Sequence, residues 1–148
     1  MPDSTSSVLN DPAVRTALRQ AWEDSRPGPT GGHEEGGFIL RDSVGNLSVE
    51  RWPYGQQSSI VVPPHSHCRI NDQDIVATFH THPNTGTDHL QEPGETDKRA
   101  VRDDPHLKGV FYEGEFVISA QTIYLIAPTG QVSEVAKTQD YFSKGQRR

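Results

Sequence analysis

The sequence predicts one α+β domain in which a mixed central sheet is flanked by helices, an α/β/α-like layering. Three observations lead there. Residues 12–24 carry an apolar stripe at helical spacing, residues 74–80 run as a nearly unbroken apolar and β-branched stretch, and residues 115–135 hold short strand-like segments joined by tight turns. With 148 residues, 32% of them hydrophobic, the chain has material for one core and not for two.

The elements follow in order. Residues 1–9 are polar and predict a disordered N-terminus, so the domain spans 10–136 with a polar tail at 137–148. Asp11-Pro12 reads as an N-cap followed by proline at the first helical position, and Val14, Leu18 and Trp22 recur at i, i+4 and i+8 with Ala17 and Ala21 beside them, which predicts a helix over 12–24. The Pro- and Gly-rich stretch 25–32 is a loop. Segments 37–41 and 47–52 flank Asp42-Ser-Val-Gly-Asn46 and predict a β-hairpin. Residues 58–62 predict a further strand, stopped by Pro63-Pro64. After the strand over 74–80 comes a polar loop, 83–94, placed to contact a substrate, and then a charged helix-permissive segment, 94–103. Strands are expected over 115–119, 122–127 and 131–135, and the tail from 137 on is expected to be weakly structured. No internal repeat or low-complexity tract is present.

Charge and composition narrow the function. A formal charge of −6, with a basic cluster only in the terminal Lys144-Gly-Gln-Arg-Arg148, argues against a nucleic-acid partner. No apolar run approaches the roughly 20 residues that span a bilayer, and Met1–Ser7 lacks the features of a secretory signal. The lone Cys68 forms no intrachain disulfide and agrees with a reducing compartment. A cytoplasmic location is expected, with no membrane partner.

The chemistry concentrates in Phe79-His80-Thr81-His82-Pro83 and the later Asp97. In extended structure i and i+2 share a face, so His80 and His82 can aim their ring nitrogens at one point where Pro83 ends the strand. Two histidines and one carboxylate, with a fourth position left for water, is the pattern of a catalytic zinc rather than a closed structural one. Such a zinc lowers the pKa of its water toward about 7. Amide hydrolysis also needs a group that takes the water's proton and returns it to the leaving amine. His33-Glu34-Glu35-Gly36-Gly37 supplies that group as Glu34 or Glu35, at the mouth of a strand where the glycines let another backbone or a substrate approach.

Glu34-x-x-Gly37, His80-x-His82-Pro83 and Pro93-Gly94-x-x-Asp97 together resemble the signature of the JAMM (MPN+/JAB) zinc metallopeptidases, over approximately residues 12–127. The resemblance implies a JAB/MPN domain with cytidine-deaminase-like layering. It also implies hydrolysis of a peptide or isopeptide bond, typically at the C-terminus of a ubiquitin-like or sulfur-carrier protein. Under it His80, His82 and Asp97 are zinc ligands and Glu34 is the general base, with Glu35 the alternative if the strand register shifts by one. The chain departs from the pattern in two places. The family's serine, an oxyanion donor, aligns with Gly94, and loss of one such donor typically costs about 10²–10³ in rate. Thr96 is the neighbouring hydroxyl, but an adjacent side chain on a helix points elsewhere. The loop between His82 and Asp97 is also longer than in the common form.

Other readings compete. The fold can serve as an MPN-like binding module without catalysis, or as a RadC-like DNA-associated protein, which the acidic composition opposes. Asp88 rivals Asp97 as a ligand, though from mid-loop, and His89 reads as solvated. His65-Ser-His67-Cys68 reads as a loop with a surface histidine pair, or as a wall of the substrate groove, rather than as a second metal site. Trp22, Trp52 and Tyr54 read as core or rim packing, and Asp103-Asp104 as a solvated helix end.

Overall fold

The apolar run centred on residue 77 becomes the middle strand of the sheet. The computed structural model describes residues 7–29, 32–86 and 91–144. In it Gln73–Thr81 (β4) lies between Gly36–Arg41 (β1) and Glu115–Ile118 (β5). Leu47–Arg51 (β2) pairs outside β1, while Thr122–Ile126 (β6) and Val132–Lys137 (β7) continue beyond β5. The short Arg69–Ile70 (β3) also pairs with β4, which completes a seven-stranded sheet. β4 and β5 are parallel and the other pairs antiparallel. A central strand covered on both faces needs apolar side chains on both, and β4 is buried from Ile75 to Thr81.

Helices cover the two faces unequally. Ser7–Asn10 (α1), Pro12–Asp24 (α2) and Thr138–Lys144 (α4) pack on one face. There Val14, Leu18, Ala21 and Trp22 of α2 meet Ile39, Ala77, Phe79, Phe116 and Ile118. Asp11 caps α2 by accepting from the backbone N–H of Ala13 and Val14 at 2.9 and 3.2 Å. Glu95–Arg102 (α3) and a 3₁₀ turn at Pro105–Leu107 take the other face, where Val101 and Leu107 pack with Phe38, Leu40, Trp52, Ile75 and Val117. Between Ile39 and Leu40 the β1–β4 register slips so that Val76 is an extra residue, a β-bulge. Among the described residues no helix is long and apolar enough to cross a membrane.

Three sequence expectations change. The ends are more ordered than their polarity suggests: Val8 and Leu9 of α1 and Tyr141 and Phe142 of α4 are all buried in one cluster, and the Tyr141 hydroxyl donates to the Leu9 carbonyl at 2.9 Å. The packed unit therefore reaches beyond 10–136 on both sides; residues 1–6 and 145–148 of the expected disordered end and tail lie outside the described residues. Residues 58–62 form no strand. Ile60 and Val62 turn inward while Val61 is 82% exposed, so the period is strand-like, but no neighbouring strand supplies a ladder. Finally, His65 is not a surface residue. Its ring bridges the Pro63 carbonyl and the Asp104 carboxylate and packs on Phe38, so Asp104 is engaged as well.

Phe142 tests whether the C-terminal helix belongs to the core. Phe142→Ala is expected to lose about 3–5 kcal/mol in chemical denaturation; a loss below about 1 kcal/mol would mean that α4 only rests on the surface.

Candidate metal centre

The end of β4 delivers the histidines. His80 sits on the α3 face of the strand, opposite Gly36 of β1 and Val117 of β5, and His82 follows one step past the strand end. Asp97 comes from the other direction, in the first turn of α3, where its Oδ2 accepts from the Gly94 N–H at 2.8 Å. Ligand atoms of His80, His82 and Asp97 all lie within 4.8 Å of one another. His80 Nε2 is 3.3 Å from His82 Nε2 and 3.3 Å from Asp97 Oδ1, and His82 Nε2 is 3.3 Å from Asp97 Oδ2. Ligands at zinc–nitrogen distances on a tetrahedron are separated by roughly 3.3 Å. The donor set and spacing thus could hold a metal ion.

The outer atoms of both rings are already committed. His80 Nδ1 is hydrogen-bonded to the Glu115 carboxylate, and His82 Nδ1 to the Gln91 carbonyl at 3.0 Å. Both partners only accept when the carboxyl is ionised, so both Nδ1 atoms carry the proton and both Nε2 lone pairs face the same point. Two facing lone pairs beside a carboxylate repel unless a cation lies between them. Burial works against a charged His80, but the negative carboxylates of Glu115 and Asp97 outweigh it, so that without a metal the ring takes up a second proton more readily than an ordinary histidine. Burial likewise opposes ionisation of Asp97, yet the His80 and His82 rings against it, when they carry a proton at Nε2 in place of a metal, hold its carboxyl far below the usual range.

Glu115 is the residue that sequence reasoning missed. It opens β5 beside Thr78 and is 5% exposed. The Thr78 hydroxyl donates to it at 2.9 Å and accepts from the Tyr112 hydroxyl at 2.8 Å, which makes a chain from Tyr112 to His80. Burial first, and then the Glu115 charge, push the Tyr112 phenol well up, so it keeps the proton it donates. The available signal was a charged residue at the head of an otherwise apolar strand, which must have a buried partner.

Glu34 and Glu35 take opposite roles because successive residues face opposite ways. Glu34 points into a cavity of about 460 Å³ that also contains His80, His82, Asp97 and Glu115. It is 5% exposed and makes no side-chain hydrogen bond to another described residue. Its backbone is clamped by Gly55 N–H to the Glu34 carbonyl at 2.8 Å and Glu34 N–H to Gln56 at 2.7 Å. Burial raises its proton affinity above that of an ordinary carboxyl. Glu35 instead binds His33 and Arg51, each at 2.5 Å, and does not line the cavity. The close approach allowed by Gly36 and Gly37 serves the fold: a Cβ at Gly36 would meet the Trp52 ring at 2.6 Å, and one at Gly37 would meet the Glu50 carbonyl at 2.8 Å.

The remaining candidates are placed as follows. Gly94 is the N-cap of α3 and supplies no side-chain cap, and Thr96 is exposed at the mouth of the cavity. Ser58, Ser59, Ile60 and Val62 form a wall of the cavity, whereas His65 and His67 do not line it. Trp52 is both core and cavity wall, Trp22 is core, and Tyr54 is exposed against His33. Asp88 and His89 lie outside the described residues.

Two measurements probe this arrangement. Glu115→Gln is expected to weaken zinc binding about 10- to 100-fold in a chelator competition, because the outer partner orients the ligand and raises its basicity; unchanged affinity would reduce Glu115 to a packing residue. Glu34 holds a proton more tightly folded than unfolded, so its ionisation opposes folding as pH rises through that interval. Glu34→Gln should therefore raise the Tm of the metal-free protein at pH 7. The gain should vanish below about pH 4, where both states of the chain keep the proton, and a Tm that fails to rise at pH 7 contradicts the buried charge.

Comparison of the chain with protein-family models, curated proteins and solved structures finds no match.

Proposed function

We propose that this protein is a zinc-dependent hydrolase that cleaves a peptide or isopeptide bond, in the manner of the JAMM metallopeptidases that its motifs resemble. One observation carries the reading: His80, His82 and Asp97 stand at tetrahedral spacing with both Nδ1 atoms held from behind, and a buried glutamate with no side-chain partner among the described residues faces the same cavity. Zinc held by these residues would supply an acidified water and an electrophile for the carbonyl oxygen. Glu34 takes the proton from the attacking water, and its raised proton affinity suits it to hold that proton and pass it to the nitrogen that leaves. The water oxygen bonds to the carbonyl carbon, the carbon–nitrogen bond breaks, and carboxylic acid and amine result.

The narrower architectural reading, a JAB/MPN domain with cytidine-deaminase-like layering, is supported by the order of helix, hairpin, ligand strand, helix and closing strands. A C-terminal segment of a ubiquitin-like protein is the proposed substrate, and Ser58, Ser59, Ile60 and Val62 line one side of the cavity that would receive it. The absent hydroxyl at Gly94 favours a second reading, an MPN-like binding module with weak or no catalysis.

Metal content and turnover separate the two. Wild-type protein is expected to hold one zinc per chain, and His82→Ala and Asp97→Ala to lose it. Zinc-loaded wild type should hydrolyse ubiquitin-like fusions or isopeptide-linked conjugates, and Glu34→Gln should be slower by about 10²–10⁴. Zinc without turnover supports the binding module; a wild type that takes up no zinc ends the hydrolase reading.

A further inference from the structure

Addition of water to an amide puts negative charge on the former carbonyl oxygen, and a fixed donor aimed at that oxygen is commonly the largest single contribution to rate. The cavity offers few candidates. The Gly94 N–H is engaged by Asp97, and the hydroxyls of Ser58, Ser59 and Thr96 are on exposed residues with no hydrogen bond to hold them among the described residues. The Trp52 indole N–H has no partner among the described residues, but its nitrogen is sealed from open space.

Asn84 differs from all of these. It lines the cavity two residues after His82 and is itself 5% exposed. Its surroundings pin it from several sides. The Pro83 carbonyl accepts from the Gly28 N–H at 3.0 Å, the Thr85 N–H donates to the Gly28 carbonyl at 2.8 Å, and the Asn84 carbonyl accepts from the Gln91 side chain at 2.7 Å. The side-chain Oδ1 accepts from the Gly86 N–H at 2.9 Å, which fixes the orientation of the amide. Nδ2, with two N–H groups, has no hydrogen-bond partner among the described residues and is not among the sealed atoms. A buried carboxamide on the cavity wall, fixed at its Oδ1 and with no partner for its donor end among the described residues, is preorganised in the sense that catalysis requires.

We propose that Asn84 is a catalytic residue whose Nδ2–H donates to the substrate's carbonyl oxygen as it becomes an oxyanion, in the absence of a side chain at Gly94. The assignment rests on the hydrolase reading above. As the water oxygen adds to the carbonyl carbon, the π electron pair moves onto the oxygen and the hydrogen bond from Asn84 strengthens. When the carbon–nitrogen bond breaks, that pair returns to re-form the carbonyl and the leaving nitrogen takes the proton from Glu34. Asn84 gains and loses no proton.

The probe is a phosphonamidate dipeptide, whose tetrahedral oxygens stand in for the oxyanion, compared with the planar dipeptide amide on zinc-loaded full-length protein by calorimetry. Asn84→Ala is expected to bind the phosphonamidate about 10²-fold more weakly, with zinc content and affinity for the planar amide unchanged. Gly94→Ser in that background, at an N-cap position that suits serine, should recover at least part of the loss. Asn84→Asp keeps an acceptor for the Gly86 N–H and serves if alanine loosens the loop; it too should bind the phosphonamidate more weakly than wild type. Phosphonamidate affinity equal to wild type in either variant overturns the assignment, and so does loss of zinc from Asn84→Ala, which would show action through the His82 loop. A wild type that takes up no zinc overturns the hydrolase reading and this assignment together.

Discussion

The hydrogen bond between His80 and the buried Glu115 carboxylate is the constraint around which the centre is organised. It crosses the one parallel strand pair of the sheet, so the ligand strand and its neighbour must keep the register that sets Thr78 opposite Glu115. A buried carboxylate left without partners is strongly destabilising, so the fold is committed to this arrangement. Gly114 makes the delivery possible: its φ of +127° lies where side chains are disfavoured, a Cβ there would sit 2.1 Å from the Ile126 carbonyl, and its own carbonyl accepts from the Thr78 N–H at 3.1 Å. The β4–β5 pairing thus begins with a glycine that only glycine can replace, followed at once by the glutamate that holds the histidine.

The two faces of the sheet divide the work. The α1, α2 and α4 face is closed by apolar packing that ties both ends of the described chain together through Leu9 and Tyr141. The opposite face leaves a cavity between the end of β4, the start of α3 and the irregular wall at 58–62. The bulge at Val76 sets this division, because it places Ile75 with Leu40 on the α3 face and Ala77 with Ile39 on the other, where unbroken alternation would have put both on one side.

The cavity combines groups held at several points with one that is not. Both histidines are anchored through Nδ1 and Asp97 through the N-terminus of α3, while Glu34 has a clamped backbone and a carboxylate without a partner among the described residues. A fixed group of His80, His82 and Asp97 that could hold a metal ion, beside a buried carboxylate with raised proton affinity, is what the proposed proton shuttling to and from a water would need. Natural sites keep such a destabilised charge when function depends on it.

Much of this was legible in the residues alone. Apolar periodicity placed α2 from 12 to 24, the hairpin and the closing strands within a residue or two, because local period and turn chemistry are written in neighbouring positions. Spacing brought His80 and His82 to one point and singled out Asp97 at a helix start. Other features depended on partners far along the chain. Residues 58–62 have a strand's composition but no strand beside them, and α1 and α4 look polar until Val8, Leu9, Tyr141 and Phe142 meet on the sheet. The division between Glu34 and Glu35 was decided by which face Arg51 and His33 occupy, and the places of Glu115 and Gln91 behind the histidines and of Asn84 on the cavity wall by the strands and loops that carry them. The sequence by itself determined which segments form elements and which residue types can ligate a metal, since both are local. Only the tertiary structure decided which polar groups are buried with a partner and which are left open, since burial is a property of the packed whole.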